Sequence, residues 1–287
     1  MRKESNAFSI SLLFSGALLF FVLTFLFSSS LFLALAVVLG GLGAIRWVNH
    51  FAKNPIVSWI HAMAFEFFAV SASFLLRPFG YVKKINQKSG PETGRPILLI
   101  HGYIQNASNW IYIKRFLSQK GLGPIYTLNL LPPFRSIRDF GDLVAQKAKE
   151  IAEETGSKEL TLIGHSMGGL VSLWYAMKIA SPGTVRQVIT IGSPIAGTHL
   201  AKIAIGPNGR EMERGSEFVQ ELGKELGKNS QIPLYHIGSK IDQITVPYSS
   251  SITGHHPERE YLVDDLGHMT LLVSSRVARK IEEWLKV

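Results

Sequence analysis

The chain has no cysteine. That excludes disulfides, thiolate metal sites, a cysteine nucleophile and lipid attachment through sulfur. Charge is sparse at 18% of residues and is missing altogether from Phe8 to Phe27 and from Leu31 to Ile45. Acidic residues are scarcest early: residues 1–89 hold eight Lys and Arg against two Asp and Glu, whereas residues 90–287 hold 22 against 19. Most of the net charge of +9 therefore belongs to the first third of the chain. The near balance beyond it lacks the basic stripe that a nucleic-acid partner needs. What the chain has in excess is apolar sequence, 46% overall, and 287 residues leave room for one sizeable domain plus an appendage.

Residues 8–48 are almost uninterrupted apolar sequence. As a helix, Phe8–Phe27 would extend about 30 Å, the thickness of a bilayer core. With Ser28, Ser29 and Ser30 as the turn, residues 1–50 read as a two-helix transmembrane hairpin. Arg2 and Lys3 flank one end, Arg46 and Lys53 the other, which puts both ends on the cytoplasmic side. A secretory signal cleaved near Ala34-Leu35-Ala36 is the rival reading; the apolar run is too long for it and continues past the site. Residues 51–95 read as an amphipathic helix and a linker. Trp59, Met63, Phe67 and Val70 share one side at helical spacing, while His61 and Glu66 interrupt the run. A helix lying on the membrane or on the following domain fits, because a span would place Glu66 near mid-bilayer. Residues 83–95, with their Lys, Gly and Pro, read as the linker.

Residues 96–287 alternate strand-like and helix-like segments. Strands are expected at Ile97–Ile100, Ile125–Leu130, Leu160–Ile163, Val185–Ile191, Ile232–Ile237 and Glu260–Val263. Helices are expected at Ser108–Gln119, from Ser136 to a stop at Gly156, at Leu170–Ile179, and along the stripe Val273, Val277, Ile281 and Trp284. Regular alternation of this kind predicts a mostly parallel sheet with helices on both faces.

Within that frame, Gly164-His165-Ser166-Met167-Gly168-Gly169 is a G-x-S-x-G turn placed directly after a strand and before a helix. A serine there sits on a strained turn with its hydroxyl exposed, and the glycines avoid clashes on either side. His101-Gly102-Tyr103 ends the first strand. The backbone N–H groups of Tyr103 and Met167 are the candidate oxyanion donors. His268, between the last strand and the last helix, is the candidate general base, with His255 and His256 as alternatives. Asp242, after the fifth strand, is the candidate acid, with Asp264 and Asp265 as alternatives.

These motifs resemble those of bacterial lipases and esterases of the α/β-hydrolase superfamily: the HG loop, the GHSMGG elbow, and Ser193-Pro194-Ile195-Ala196-Gly197-Thr198, which is similar to an SPHxGT segment. Ile195 stands where histidine is usual. The resemblance implies an α/β-hydrolase fold, ester hydrolysis through an acyl-enzyme on Ser166, a lipidic or other apolar ester substrate, and no organic cofactor. Some relatives hold a structural calcium, but no acidic cluster here justifies a metal site. The insertion at 198–231, with Met212, Phe218, Val219, Leu222 and Leu226 in a helical pattern, is either a lid hinged at Gly206-Pro207-Asn208-Gly209 or a surface helix. The expected whole is a membrane-anchored enzyme on the cytoplasmic side of a bacterial inner membrane. Acyl transfer by the same triad is the near alternative, a non-catalytic scaffold with a hydrolase fold the distant one. Oligomeric state leaves no mark in the sequence.

Overall fold

A computed structural model describes residues 55–82, 88–91, 93–228 and 231–287; the hairpin expected within residues 1–50 lies outside the described residues. Helix α1 (Pro55–Leu76) comes first. Then follow β1 (Ile97–Ile100), α2 (Ile111–Gln119), β2 (Ile125–Leu128), α3 (Ile137–Thr155), β3 (Leu160–His165), α4 (Met167–Trp174) and β4 (Val185–Ile191). After α5 (Pro207–Glu211) and α6 (Glu217–Lys228), the chain ends with β5 (Leu234–Ser239), β6 (Glu260–Val263) and α7 (Ser275–Leu285).

The strands form one sheet in the order β2-β1-β3-β4-β5-β6, parallel at every described pairing. Strand alternation divides the core in two. Leu98, Ile100, Leu162 and Val188 face α3 and α4 on one side, with Phe140, Val144 and Leu170. Ile97, Leu99, Ile163 and Ile189 face α2 and α7 on the other, with Ile113, Leu117, Val277 and Ile281. Both faces are therefore covered, which is why the strands read as continuous apolar runs rather than as alternating ones. The chain leaves β1 to build β2 on one side and returns to build β3 on the other. The carboxyl ends of β1 and β3, where the chain reverses direction across the sheet, are the usual ligand position in open parallel sheets.

Several boundaries shift from the sequence reading, each for a local reason. Strand β2 stops at Leu128 because the next residues are used elsewhere: Asn129 Oδ1 accepts from the Ala107 amide at 2.8 Å, and the Leu130 amide donates to His101 Nε2 at 2.9 Å. Strand β5 starts at Leu234 because Pro233 has no N–H to give the ladder. Val273 lies in a 3-10 turn and is 49% exposed, so the stripe of α7 is carried by Val277, Ile281 and Trp284. Helix α3 starts and stops as expected, with Ser136 capping the Arg138 and Asp139 amides and Gly156 at positive φ.

The insertion is well packed. Helix α6 buries Phe218 and Leu222 in the α3–α4 core, with the Phe218 and Trp174 rings 5.3 Å apart. Arg138 lies over Trp174 and bonds Glu221 at 2.8 Å. The segment expected as a hinge is instead a helical turn started by Pro207 and anchored by Asn208, which is fully buried and donates to the Pro133 carbonyl at 2.9 Å. Phe218→Ala should cost about 3–5 kcal/mol through the cavity it leaves. Calorimetry would then show a single, lowered transition. A separate early transition would instead mean that α6 detaches on its own as a lid does.

Helix α1 meets the domain through Met63 of the apolar stripe and through polar residues that the spacing did not single out. Ser73 Oγ accepts from Asn109 Nδ2 at 2.6 Å, Met63 Sδ from Gln243 Nε2 at 3.4 Å, and Glu66 is buried. Within the expected linker, Ser89 pairs antiparallel with Ile125 at the edge of β2.

Candidate active site

Ser166 stands between β3 and α4 at φ 54° and ψ −126°. Positive φ strains any residue with a Cβ, and such strain persists only where the surroundings impose it. Here they do. The Ser166 amide donates to the Ile191 carbonyl at 2.8 Å, which fixes the turn to β4. A Cβ on Gly164 would overlap the Gly168 carbonyl, and one on Gly168 would overlap the carbonyls of Ile100 and His101. The G-x-S-x-G spacing thus records how closely the elbow approaches itself and β1.

The loop after β1 lies against this serine. A Cβ on Gly102 would come within 2.8 Å of Ser166 Cβ. Behind it, buried His101 ties the loop down: Nδ1 donates to the Gly102 carbonyl at 2.8 Å, and Nε2 accepts from the Leu130 amide at 2.9 Å. Burial pushes its pKa to about 4, which keeps the ring neutral and able to accept. Tyr103 Oη donates to the Ile205 carbonyl and accepts from the Ile205 amide, both at 2.8 Å, and its ring lies 6.0 Å from that of Phe134. Met167 begins α4, where the first N–H groups have no partner within the helix. Exposed Ile203, Ile205, Leu131 and Phe134 follow in the neighbouring loops and give them an apolar surface.

Gln105 is a residue the sequence reading passed over. Its Oε1 accepts from the Gly102 amide at 2.8 Å, and its Nε2 reaches Met269 Sδ at 2.9 Å, so it links the β1 loop to the segment after His268. Ile104 beside it also holds positive φ, at 53°.

His268 and Asp242 form a buried pair, Nδ1 to Oδ2 at 2.8 Å. The other carboxylate oxygen, Oδ1, accepts from the amides of Ile244 at 2.8 Å and Thr245 at 2.7 Å. Burial alone would push the His268 imidazole down; the charge and hydrogen bond of Asp242, with a contribution from Glu66, outweigh it and hold the pKa above the ordinary value. The pair lies beside the elbow. Rings of His268 and His165 are 4.6 Å apart, and a Cβ on Gly192, next to the Ile191 that anchors Ser166, would lie 3.2 Å from His268 Nδ1. His165 is pushed well down by burial and then by His268, so it is neutral beside the pair. The alternatives lie elsewhere: His255 and His256 are exposed, as is Asp264, and Asp265 is taken by Arg276 at 2.5 Å.

The chain is similar to several known proteins. Residues 95–209 match the family described as the alpha/beta hydrolase fold. The triacylglycerol lipase of Pseudarthrobacter phenanthrenivorans is 31% identical over 118 residues, covering 38% of this chain and 36% of that protein. Ethanol acetyltransferase 1 of Wickerhamomyces ciferrii is 26% identical over 123 residues, covering 41% of this chain and 30% of that one. The chain thus spans about a third of the length of these curated relatives. A lipase of Bacillus licheniformis in its mature form superposes with a TM-score of 0.60 at 15% identity, covering 68% of this chain and 94% of that structure. From the parallel sheet clad on both faces to the strained turn after β3, the domain that follows α1 has the α/β-hydrolase fold.

Proposed function

We propose that this chain is a serine hydrolase of carboxylic esters with apolar substrates, working through an acyl-enzyme on Ser166. The observation that carries the reading is the strained Ser166 turn at the sheet's reversal point with the buried His268–Asp242 pair beside it. Ser166 Oγ attacks the ester carbonyl carbon while His268 Nε2 takes its proton. The oxyanion that forms is held by the N–H groups of Tyr103 and Met167. His268 returns the proton to the leaving alcohol, the C–O bond to it breaks, and the acyl group stays on Ser166. Water then attacks the acyl carbon as His268 takes its proton; the bond to Ser166 Oγ breaks, His268 returns the proton to Oγ, and the acid is released. Asp242 holds the Nδ1–H of His268 throughout, which leaves Nε2 free to accept.

The apolar residues near the Tyr103 loop, together with the triacylglycerol lipase likeness, support an apolar acyl chain. The likeness to ethanol acetyltransferase 1 favours one further reading, in which an alcohol rather than water resolves the acyl-enzyme. Membrane attachment is part of the proposal: the uncharged runs within residues 1–50 would hold the enzyme to a bilayer, on its cytoplasmic side, where apolar esters are concentrated. No metal or organic cofactor enters the chemistry.

The test is labelling by a fluorophosphonate, which modifies only an activated serine. Labelling of the native chain that is lost in Ser166→Ala supports the reading; folded protein that never labels overturns it. Gly102→Ala probes the oxyanion loop. Its new methyl would press on Ser166 Cβ and shift the Tyr103 amide, so kcat should fall about 10²- to 10³-fold, the loss expected for one donor. The melting temperature should fall as well, since overpacking costs about 1–3 kcal/mol.

A further inference from the structure

Glu66 is 1% exposed in the middle of an apolar helix, where a carboxylate is costly unless its oxygens are satisfied. Its partners come from the loop that carries His268. Oε1 accepts from the Met269 amide at 2.6 Å and Oε2 from the Thr270 amide at 3.0 Å. Two oxygens facing two N–H donors is the arrangement that suits the anion. Gly267 completes the seat, because a Cβ there would overlap Glu66 Oε2 and come within 2.7 Å of Cδ. One turn earlier, Met63 accepts from Gln243, the residue after Asp242. Helix α1 therefore touches the chain beside both members of the buried pair.

We infer that Glu66 is a positioning residue for His268, one that fixes the backbone on the far side of the histidine and adds a second negative charge to its surroundings. The inference rests on the proposed roles of Ser166, His268 and Asp242. In that chemistry His268 becomes imidazolium each time Ser166 gives up its proton, and a carboxylate held nearby favours that state. The groups facing His268 are Asp242 at Nδ1, Glu66 from α1, and the neutral ring of His165 from the end of β3. Those facing Glu66 are His268 and Asp242. Burial lifts the Glu66 carboxyl above the usual carboxylate range, further than the Met269 amide, His268 and the Thr270 amide pull it back. Its charge therefore depends on the charge of His268, and the two carry a linked proton balance. A consequence is that the catalytic unit does not begin at residue 96: α1, next to the proposed membrane hairpin, is wired to the general base.

The test is Glu66→Gln in the full chain. Two quantities are measured against pH: kcat/KM for a short-chain ester, and the titration of the His268 ring by NMR. With one anion removed, burial weighs more heavily on the imidazole, so its pKa falls. The acid limb of kcat/KM and the NMR titration should both move to lower pH, and the plateau should drop roughly tenfold, as when a group that orients a reacting residue is lost. Glu66→Asp keeps the charge but is too short to reach both amides, so it should lower the plateau and leave the limb in place. A Glu66→Gln titration that coincides with the native one overturns the inference, whether or not the plateau falls, since a merely structural contact would lower activity without moving it. Should Glu66→Gln not fold, a native plateau in Glu66→Asp overturns it instead. Failure of the broader reading looks different: the native chain would lack esterase activity, while the NMR titration would still report on Glu66.

Discussion

Ser166→Ala should abolish fluorophosphonate labelling and lower kcat for a short-chain ester by on the order of 10⁶-fold, the loss seen when the nucleophile of such a unit is removed. The size follows from geometry. In the proposed chemistry the oxyanion donors and the His268–Asp242 pair all serve one oxygen, that of Ser166, and removing it leaves them nothing to activate. The fold should barely register the change. Alanine inherits the φ of 54° and its strain, so the melting temperature should stay within a degree or two. Ser166→Gly removes the strain as well and should be stabilised by about 1 kcal/mol while being equally inactive. Inactivity with rising stability would mark the turn as a place where conformation serves chemistry. A kcat within tenfold of native in either variant would show that the reaction uses another nucleophile.

Much of the candidate site was legible from local pattern. The elbow could be read because its constraints are local: Gly164 and Gly168 are needed by backbone within a few residues or by the neighbouring strand β1. His268 and Asp242 could be placed because each follows a strand whose carboxyl end must lie at the same edge of a parallel sheet. Chain order did the rest. The strand runs were legible for a similar reason, since burial on both faces removes the polar alternation of an exposed sheet.

What the sequence hid were partners chosen by tertiary packing. Glu66 lies some two hundred residues before the amides it binds, and nothing in its neighbourhood hints at them. Its only signal was a charge inside an apolar run, which reads equally as an interruption of a membrane helix. Helix α1 was read by its stripe of Trp59, Met63, Phe67 and Val70, suited to lie on the membrane or on the domain, because apolar spacing is what periodicity detects. Met63 of that stripe does meet the domain, but Glu66 and Ser73 meet it too, and their value depends on partners in distant loops. Gln105 was invisible for the same reason. In the insertion, the helical pattern of α6 was plain, but whether its apolar face covers substrate or core depended on where Trp174 and Arg138 stand.

Asp242→Asn should cost about 10⁴-fold in kcat although it changes one atom. The acid's Oδ1 accepts two backbone N–H groups, from Ile244 and Thr245, while Oδ2 faces His268 Nδ1. In asparagine the carbonyl oxygen must take the place that meets the two amides, because an NH₂ group cannot accept from them. The NH₂ is then turned toward His268 and donates to Nδ1. That forces the ring proton onto Nε2, the atom that has to receive the proton of Ser166, so the base is blocked by tautomer rather than by displacement. Loss of the charge acts in the same direction, since it no longer offsets the burial that pushes the imidazole down. The fold should survive, because every hydrogen bond at the position keeps a partner. Kinetics with a chromogenic ester, beside a melting curve, check the prediction. A loss under tenfold in well-folded protein would mean that the histidine needs no carboxylate at Nδ1, and a melting temperature lowered by ten degrees would mean that Asp242 holds the loop rather than the ring.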